Sequence, residues 1–191
     1  MLTFVNNLIV SCSKSWWKFL LLLSGQIGTI SLLNNITEGF PAISGGHKPF
    51  DMQNSLQADE IFLQLATYTP EAFSQYSLFQ MVDYVFPVFG GLVLACAVAF
   101  ALRHASPILY QRVLDTRVLF LLLIPTIFDW LENINLLWAI KAWPEQTELA
   151  AQLAVASKLG KLSSIYCIGA LAMGLLCWAL VRWISQRFTS D

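Results

Sequence analysis

The chain has 191 residues, of which 57% are hydrophobic and only 12% are charged, and its formal net charge is -1. Soluble domains carry about a quarter charged residues, so this composition excludes most cytosolic enzymes, disordered chains and nucleic-acid binders. We therefore expect an integral membrane protein that is surrounded by the lipid bilayer.

Four stretches are long and apolar enough to cross a bilayer, which takes roughly 20 mostly apolar residues. They are residues 16–33, 84–102, 118–140 and 162–183, each with approximate bounds. Each stretch is apolar all round rather than alternating, and lipid does not tolerate open strands, so we expect helices. The sequence predicts an all-α fold, in which residues 1–191 form one transmembrane domain built as a four-helix bundle.

The first connection, residues 34–82, is long for so small a protein. Its first half contains EGFPAISGGHKPF, which is typical of irregular structure. The second half contains Thr69-Pro70-Glu71, an N-cap, a proline at the first helical position and a first-turn acid. We predict a helix from Pro70 through Gln80, a short amphipathic helix over 57–66, and hence a partly helical extracytoplasmic loop.

The remaining connections are shorter. We predict that residues 103–117 form a short basic turn, and that a helix after Pro144 leads into the fourth span. Basic residues set the orientation of membrane helices. One set of flanks holds seven of them, Lys14, Lys18, Arg103, Arg112, Arg117, Arg182 and Arg187, against four on the other set, Lys48, Lys141, Lys158 and Lys161. This predicts a multi-pass protein of a cell membrane with both termini cytoplasmic, and sparse cysteine favours a bacterial inner membrane.

The third span contains acidic residues, which are costly in hydrocarbon and therefore candidates for function. Asp129, Glu132 and Asn133 stand at positions i, i+3 and i+4, so they share one helix face. Pro125 precedes Asp129 by one turn, and we expect it to free the carbonyl of Leu121 and to kink the helix.

Two buried carboxylates one turn apart require a proton or a nearby cation. We expect Lys161 or a bound ligand to supply the counter-charge. Asp83, at the outer end of the second span, is close in depth to Glu132, and Gln26 in the first span can donate a neutral hydrogen bond. The predicted ligand-binding residues are therefore Asp83, Asp129, Glu132, Asn133, Gln26 and Lys161. Asp129 and Glu132 are the candidates for proton transfer, although the sequence does not decide whether the protein is an enzyme.

We predict neither a cofactor nor a metal. The spans contain no histidine, and His47 and His104 fall in loops that the topology assigns to opposite faces. Small residues in the spans, Gly90 with Gly91, Ala170 with Gly174, and Ser24 with Gly28, are typical of packing seams. Such seams could also join the chain into a homo- or hetero-oligomer.

The segments YTPEAF, MVDYVFP and PTIFDWLEN, between Tyr68 and Asn133, resemble a family of uncharacterised four-span membrane proteins. That resemblance implies architecture and no activity. A remoter likeness is to the sterol-isomerase and sigma-2-receptor superfamily, four-span bundles whose intramembrane carboxylates bind amphiphilic amines or sterols. The span count, the long first loop and the acid before a proline-containing second span agree, but that superfamily's histidine and tryptophan pattern is missing.

Three functions remain open. The first is a site that binds or processes a small membrane-soluble ligand, an amphiphile held at the acidic and amide side chains. The second is a structural or accessory subunit of a larger membrane complex, in which the carboxylates pair with a partner's basic residue. The third is a proton- or cation-coupled transporter. The polar residues of the third span could also serve only to join helices.

Overall fold

The computed structural model describes residues 2–188, and every regular element in that range is helical. Helix makes up 85% of the chain, and the described residues form no strand. The all-α class expected from the apolar patterning is therefore confirmed.

The helices follow one another with short breaks. Within residues 2–188 the α-helices are α1 (Leu2–Lys14), α2 (Trp16–Thr37), α3 (Phe40–Ile43), α4 (Ala58–Leu65), α5 (Pro70–Asp83), α6 (Phe86–Ala105), α7 (Pro107–Thr116), α8 (Ile124–Ala142) and α9 (Glu148–Phe188). Two segments, Phe50–Met52 and Val118–Leu123, are 3₁₀-helices.

Four helical stretches of the described chain are long and apolar enough to cross a membrane. They are Trp16–Ile43, Pro70–Ala105, Val118–Ala142 and Glu148–Arg187. Many of their large apolar side chains point outward, among them Leu21 and Val181, which are 75% and 61% exposed. Exposed apolar surface of this extent indicates a membrane-embedded protein.

The centre of the bundle is α9, which packs along both α8 and α6. Helix α2 packs on α5 and α6, and α1 lies against α6 and the 3₁₀-helix Val118–Leu123. The described residues form two continuous apolar cores, one at each end of the bundle. One of them lies where α1, α6 and α9 meet.

These two cores are separated along the bundle axis by a polar layer. The first core joins the connecting segment to α5, α8 and α9, and its largest members include Phe40, Phe50 and Tyr76. The second core joins α1, α6, α7 and the far part of α9. On α9, Ala154 belongs to the first core and Ala172 to the second, so the residues between them face the layer in which the candidate site lies.

Both helices expected in the first connecting segment are confirmed. Helix α4 begins after Gln57, whose backbone N–H donates to Glu60 Oε2 at 2.8 Å. Helix α5 begins after Thr69, whose Oγ1 accepts from the N–H of Ala72 at 3.2 Å. Burial of Tyr68 between these helices raises the pKa of its phenol, because water no longer stabilises the charged form. The segment is thus folded onto the bundle, and its apolar side chains share one core with α8 and α9.

The basic connection 103–117 is not the short turn that we expected. Pro107–Thr116 forms α7, in which Ser106 Oγ accepts from the N–H of Leu109 at 3.4 Å and Pro107 takes the first helical position. His104, expected in this loop, lies in the last turn of α6. Ser106-Pro107 is equivalent to Thr69-Pro70, the start signal that correctly marked α5.

The third span is not a kinked α-helix. Pro125 lies in the first turn of α8, where a proline removes no intrahelical hydrogen bond, and the residues before it form the 3₁₀-helix Val118–Leu123. The carbonyl of Leu121 is not freed but accepts from the N–H of Ile124. A change of helix type therefore accommodates the proline. Helix α1 was not expected, because it is too short to span a membrane.

Candidate functional site

Helix α8 supplies three polar side chains to the layer between the cores. Asp129, Glu132 and Asn133 share one face, as their spacing requires, and their exposures are 3%, 0% and 0%. That face points at α9 and at the end of α5 rather than outward. All three side chains are therefore inside the protein, where a carboxylate needs a compensating charge or proton.

Helix α9 supplies the compensating charges. The Lys161 ammonium lies 2.9 Å from Asp129 Oδ1 and 2.6 Å from Glu132 Oε2. Lys158, one turn earlier, lies 3.0 Å from Glu132 Oε1. Because positions i and i+3 share a helix face, the two lysines meet the two acids of α8 in one contact.

The connecting segment contributes a third acid to this contact. Asp51 Oδ1 lies 2.6 Å from the Lys161 ammonium. Lys158 holds the Asp51 region in place, because its ammonium donates to the carbonyl oxygens of Phe50 and Gln53 at 2.6 and 2.7 Å. Sequence reasoning assigned Asp51 only to the acidic outer loop, since no periodicity links an irregular segment to a helix face.

Asp83 is the fourth acid, at the last residue of α5. It is 1% exposed, and its Oδ2 accepts from Asn133 Nδ2 at 2.7 Å. Asn133 is itself held by Gln80, whose Nε2 donates to the Asn133 carbonyl at 3.1 Å. Asp83 Oδ1 has no hydrogen-bond partner among residues 2–188.

We call these residues the acid–lysine cluster, comprising Asp51, Asp83, Asp129, Glu132, Asn133, Lys158 and Lys161. It contains four carboxyl groups and two ammonium groups, all largely removed from solvent. With every group ionised the cluster would carry a charge of -2, from four negative and two positive groups. A low-dielectric interior does not hold that excess, so the cluster takes up protons or a further cation.

Two cavities reach the cluster from different sides. The Asp83 cavity, of about 200 Å³, is bounded by α2, α5 and the connecting segment, and Asp51 and Asp83 are its acidic residues. The Gln26 cavity, also about 200 Å³, lies between α2, α6, α8 and α9, and contains Gln26, Asp129 and Lys161. Phe86 lines both cavities.

The structure thus brings five of the six predicted site residues, Asp83, Asp129, Glu132, Asn133 and Lys161, into one bonded group. Gln26 faces them across the Gln26 cavity, and its Oε1 is buried without a hydrogen-bond partner in the described chain. Lys161 is the counter-charge that the sequence suggested, and Asp51 and Lys158 are additional members.

The acids have a geometry that could also hold a metal ion. One carboxylate oxygen each from Asp51, Asp129 and Glu132 lies within 4.8 Å of the others. However, the Lys161 ammonium already contacts all three residues, at 2.6, 2.9 and 2.6 Å. The lysine therefore takes the position among these oxygens that a metal ion would need.

The comparisons with known proteins add nothing to the geometry: no family model, no curated protein and no solved structure matches the chain significantly.

Proposed function

We propose that the chain is a multi-pass protein of a cell membrane, the bacterial inner membrane, with four spans and both termini on the cytoplasmic side. Contacts at one end of the bundle support this orientation. Arg182 donates to the carbonyl of Ala105 at 2.9 Å, and Arg117 donates to Thr3 Oγ1 at 3.3 Å. The arginine-rich flanks therefore lie together, as cytoplasmic flanks do. The connecting segment 34–82 would then lie on the extracytoplasmic side.

We propose that the acid–lysine cluster binds a small membrane-soluble amphiphile with a cationic head. The observation that carries this proposal is Asp83, a buried carboxylate whose Oδ1 is unpaired in the described chain and which lines an apolar cavity. Its neighbours Asp129 and Glu132 contact lysines, whereas no lysine or arginine of the described residues forms an ion pair with Asp83. A cationic ligand would supply the missing charge.

The Asp83 cavity has the composition that an amphiphilic amine requires. Asp83 and Asp51 offer carboxylate oxygens to a group with several N–H donors, such as an ammonium. Phe79 and Phe86 offer aromatic faces, which attract cations. Ile30 and Leu33 of α2 complete the apolar wall, so an alkyl tail would leave the cavity along a helix that faces lipid.

In this proposal Asp129 and Glu132 hold the lysines in place, and Asp83 makes the first contact with the ligand. The accessory-subunit alternative required a partner's basic residue to pair with these carboxylates. Lys158 and Lys161 of α9 already supply that charge within the same chain.

The proposal is tested by measuring the unfolding temperature of the full chain in mild detergent. Dodecylamine is compared with 1-dodecanol and dodecanoic acid, which have the same chain length. We expect only the amine to raise the unfolding temperature, since binding to the native state stabilises it by about 2.7 kcal/mol at 100 times Kd. Asp83→Asn keeps the shape and the Asn133 contact but removes the charge, so it should abolish the shift.

Asp59→Asn is the matched control, because Asp59 is an exposed carboxylate of α4 and its loss should leave the shift unchanged. Equal shifts with the amine and the alcohol, or an undiminished amine shift in Asp83→Asn, would contradict the proposal.

A further inference from the structure

A larger cavity lies at the opposite end of the bundle from the connecting segment. It has a volume of about 410 Å³ and lies where α1 meets α2, beside α6 and α9. Its inner wall includes Cys12 and Cys96, which are 4% and 1% exposed, together with Phe19. Trp16, which is 64% exposed, lies at its outer edge. We call it the junction cavity.

The polar residues of the junction cavity are basic or neutral. Lys14 ends α1 and Arg103 lies near the end of α6, and no acidic residue lines this cavity within the described chain. The Arg103 guanidinium carbon lies 5.5 Å from the centre of the Phe100 ring.

We propose that the junction cavity binds an anionic phospholipid, with its phosphate between Lys14 and Arg103 and an acyl chain along Phe19 and Leu176. Basic pockets between transmembrane helices on the cytoplasmic side bind anionic lipid headgroups. Free phosphate would pair with the two cations but would leave the apolar wall uncovered, so the cavity fits a lipid better than a free anion. The volume lies in the usual range of small-molecule sites, about 300–1,000 Å³. This site is separate from the proposed amine site, and its cytoplasmic placement rests on the orientation proposed above.

Native mass spectrometry of the full chain, with phosphatidylglycerol and phosphatidylcholine of identical acyl chains, tests the proposal. We expect a preference of about tenfold or more for phosphatidylglycerol, because two basic side chains contact its headgroup. The double variant Lys14→Gln with Arg103→Gln should bind both lipids equally. The double variant Lys48→Gln with Arg112→Gln removes the same charge at exposed positions outside the cavity and should keep the preference.

A second measurement reports the position of the lipid. In a background of Cys167→Ser and Cys177→Ser, the remaining thiols, Cys12 and Cys96, both line the junction cavity. Phosphatidylglycerol should slow their reaction with N-ethylmaleimide, and the Lys14→Gln with Arg103→Gln variant should lose that protection.

Four results would overturn the proposal. One is equal binding of the two lipids by the unaltered chain. Another is an unchanged preference in the cavity variant. The third is equal thiol protection by inorganic phosphate alone. The fourth is equal thiol protection when the protein self-associates without lipid.

Discussion

Lys161 is the residue on which the charge balance of the cluster depends. Its ammonium contacts carboxylates from α8 and from the connecting segment, at 2.6 to 2.9 Å. Lys161→Met leaves Asp51 and Asp129 without a cation and Glu132 with Lys158 alone, so we expect a loss of about 3–5 kcal/mol in the free energy of unfolding. Denaturant titration in mixed micelles measures this loss.

Lys48→Met is the control, and at its exposed position it should change the free energy of unfolding by less than about 0.5 kcal/mol. Similar losses in the two variants would show that the cluster is not held by ion pairing.

The spacing of residues within a helix predicted much of the site. The i, i+3, i+4 pattern of α8 correctly gave the shared face of Asp129, Glu132 and Asn133. The need for a counter-charge pointed to Lys161 on the same side of the membrane. Asp51 could not be selected in this way, because its position depends on the fold of an irregular segment that Lys158 fixes from 105 to 108 residues away.

The contact between α6 and α8 depends on a glycine. A Cβ at Gly91 would overlap Thr126 Oγ1, and that hydroxyl donates to the carbonyl of Pro87 at 2.7 Å. Gly91→Ala therefore disturbs both the packing and an interhelical hydrogen bond. We expect it to lower the free energy of unfolding by about 1–3 kcal/mol, measured by the same titration.

Gly28→Ala is the control for this effect. A Cβ at Gly28 would meet no atom within 4 Å among the described residues, so alanine should be neutral or slightly stabilising, by up to about 1 kcal/mol. If both alanine variants behave alike, the close approach of α6 and α8 is not needed for stability. The small-residue seam expected at Gly90 and Gly91 is thus an internal contact, whereas Gly28 and Gly174 face outward.

Local start signals predicted some elements and were overlooked in others. Thr69-Pro70 gave α5, and the equivalent Ser106-Pro107 could have given α7. The 3₁₀-helix before Pro125 has no comparable signal, because its six residues, VLFLLL, are equally suited to an α-helix. The segment packs against α1 and α6 and comes just before Pro125, so its helix type depends on these neighbours and not on its own six residues.

The molecule places its buried charged residues between two apolar cores. Among the described helices, only the long helix α9 contributes to both cores and runs through the polar layer between them. The sequence predicted the spans because hydropathy is additive along a segment. It did not predict this layering, which depends on how α1 and the connecting segment fold back onto the bundle.

The unequal number of basic residues at the two ends predicts the orientation of the bundle. The end that contains Arg117 and Arg182 carries the greater number of basic residues, so we expect it to stay in the cytoplasm. A chain without its four cysteines, with either Asn54→Cys in the connecting segment or Gln111→Cys in α7, can be treated with a membrane-impermeant maleimide. In right-side-out vesicles we expect labelling only at position 54, and in inverted vesicles only at position 111. Because the second span lies between these positions, labelling of both from one side would contradict a membrane crossing between them, and the reverse pattern would invert the topology.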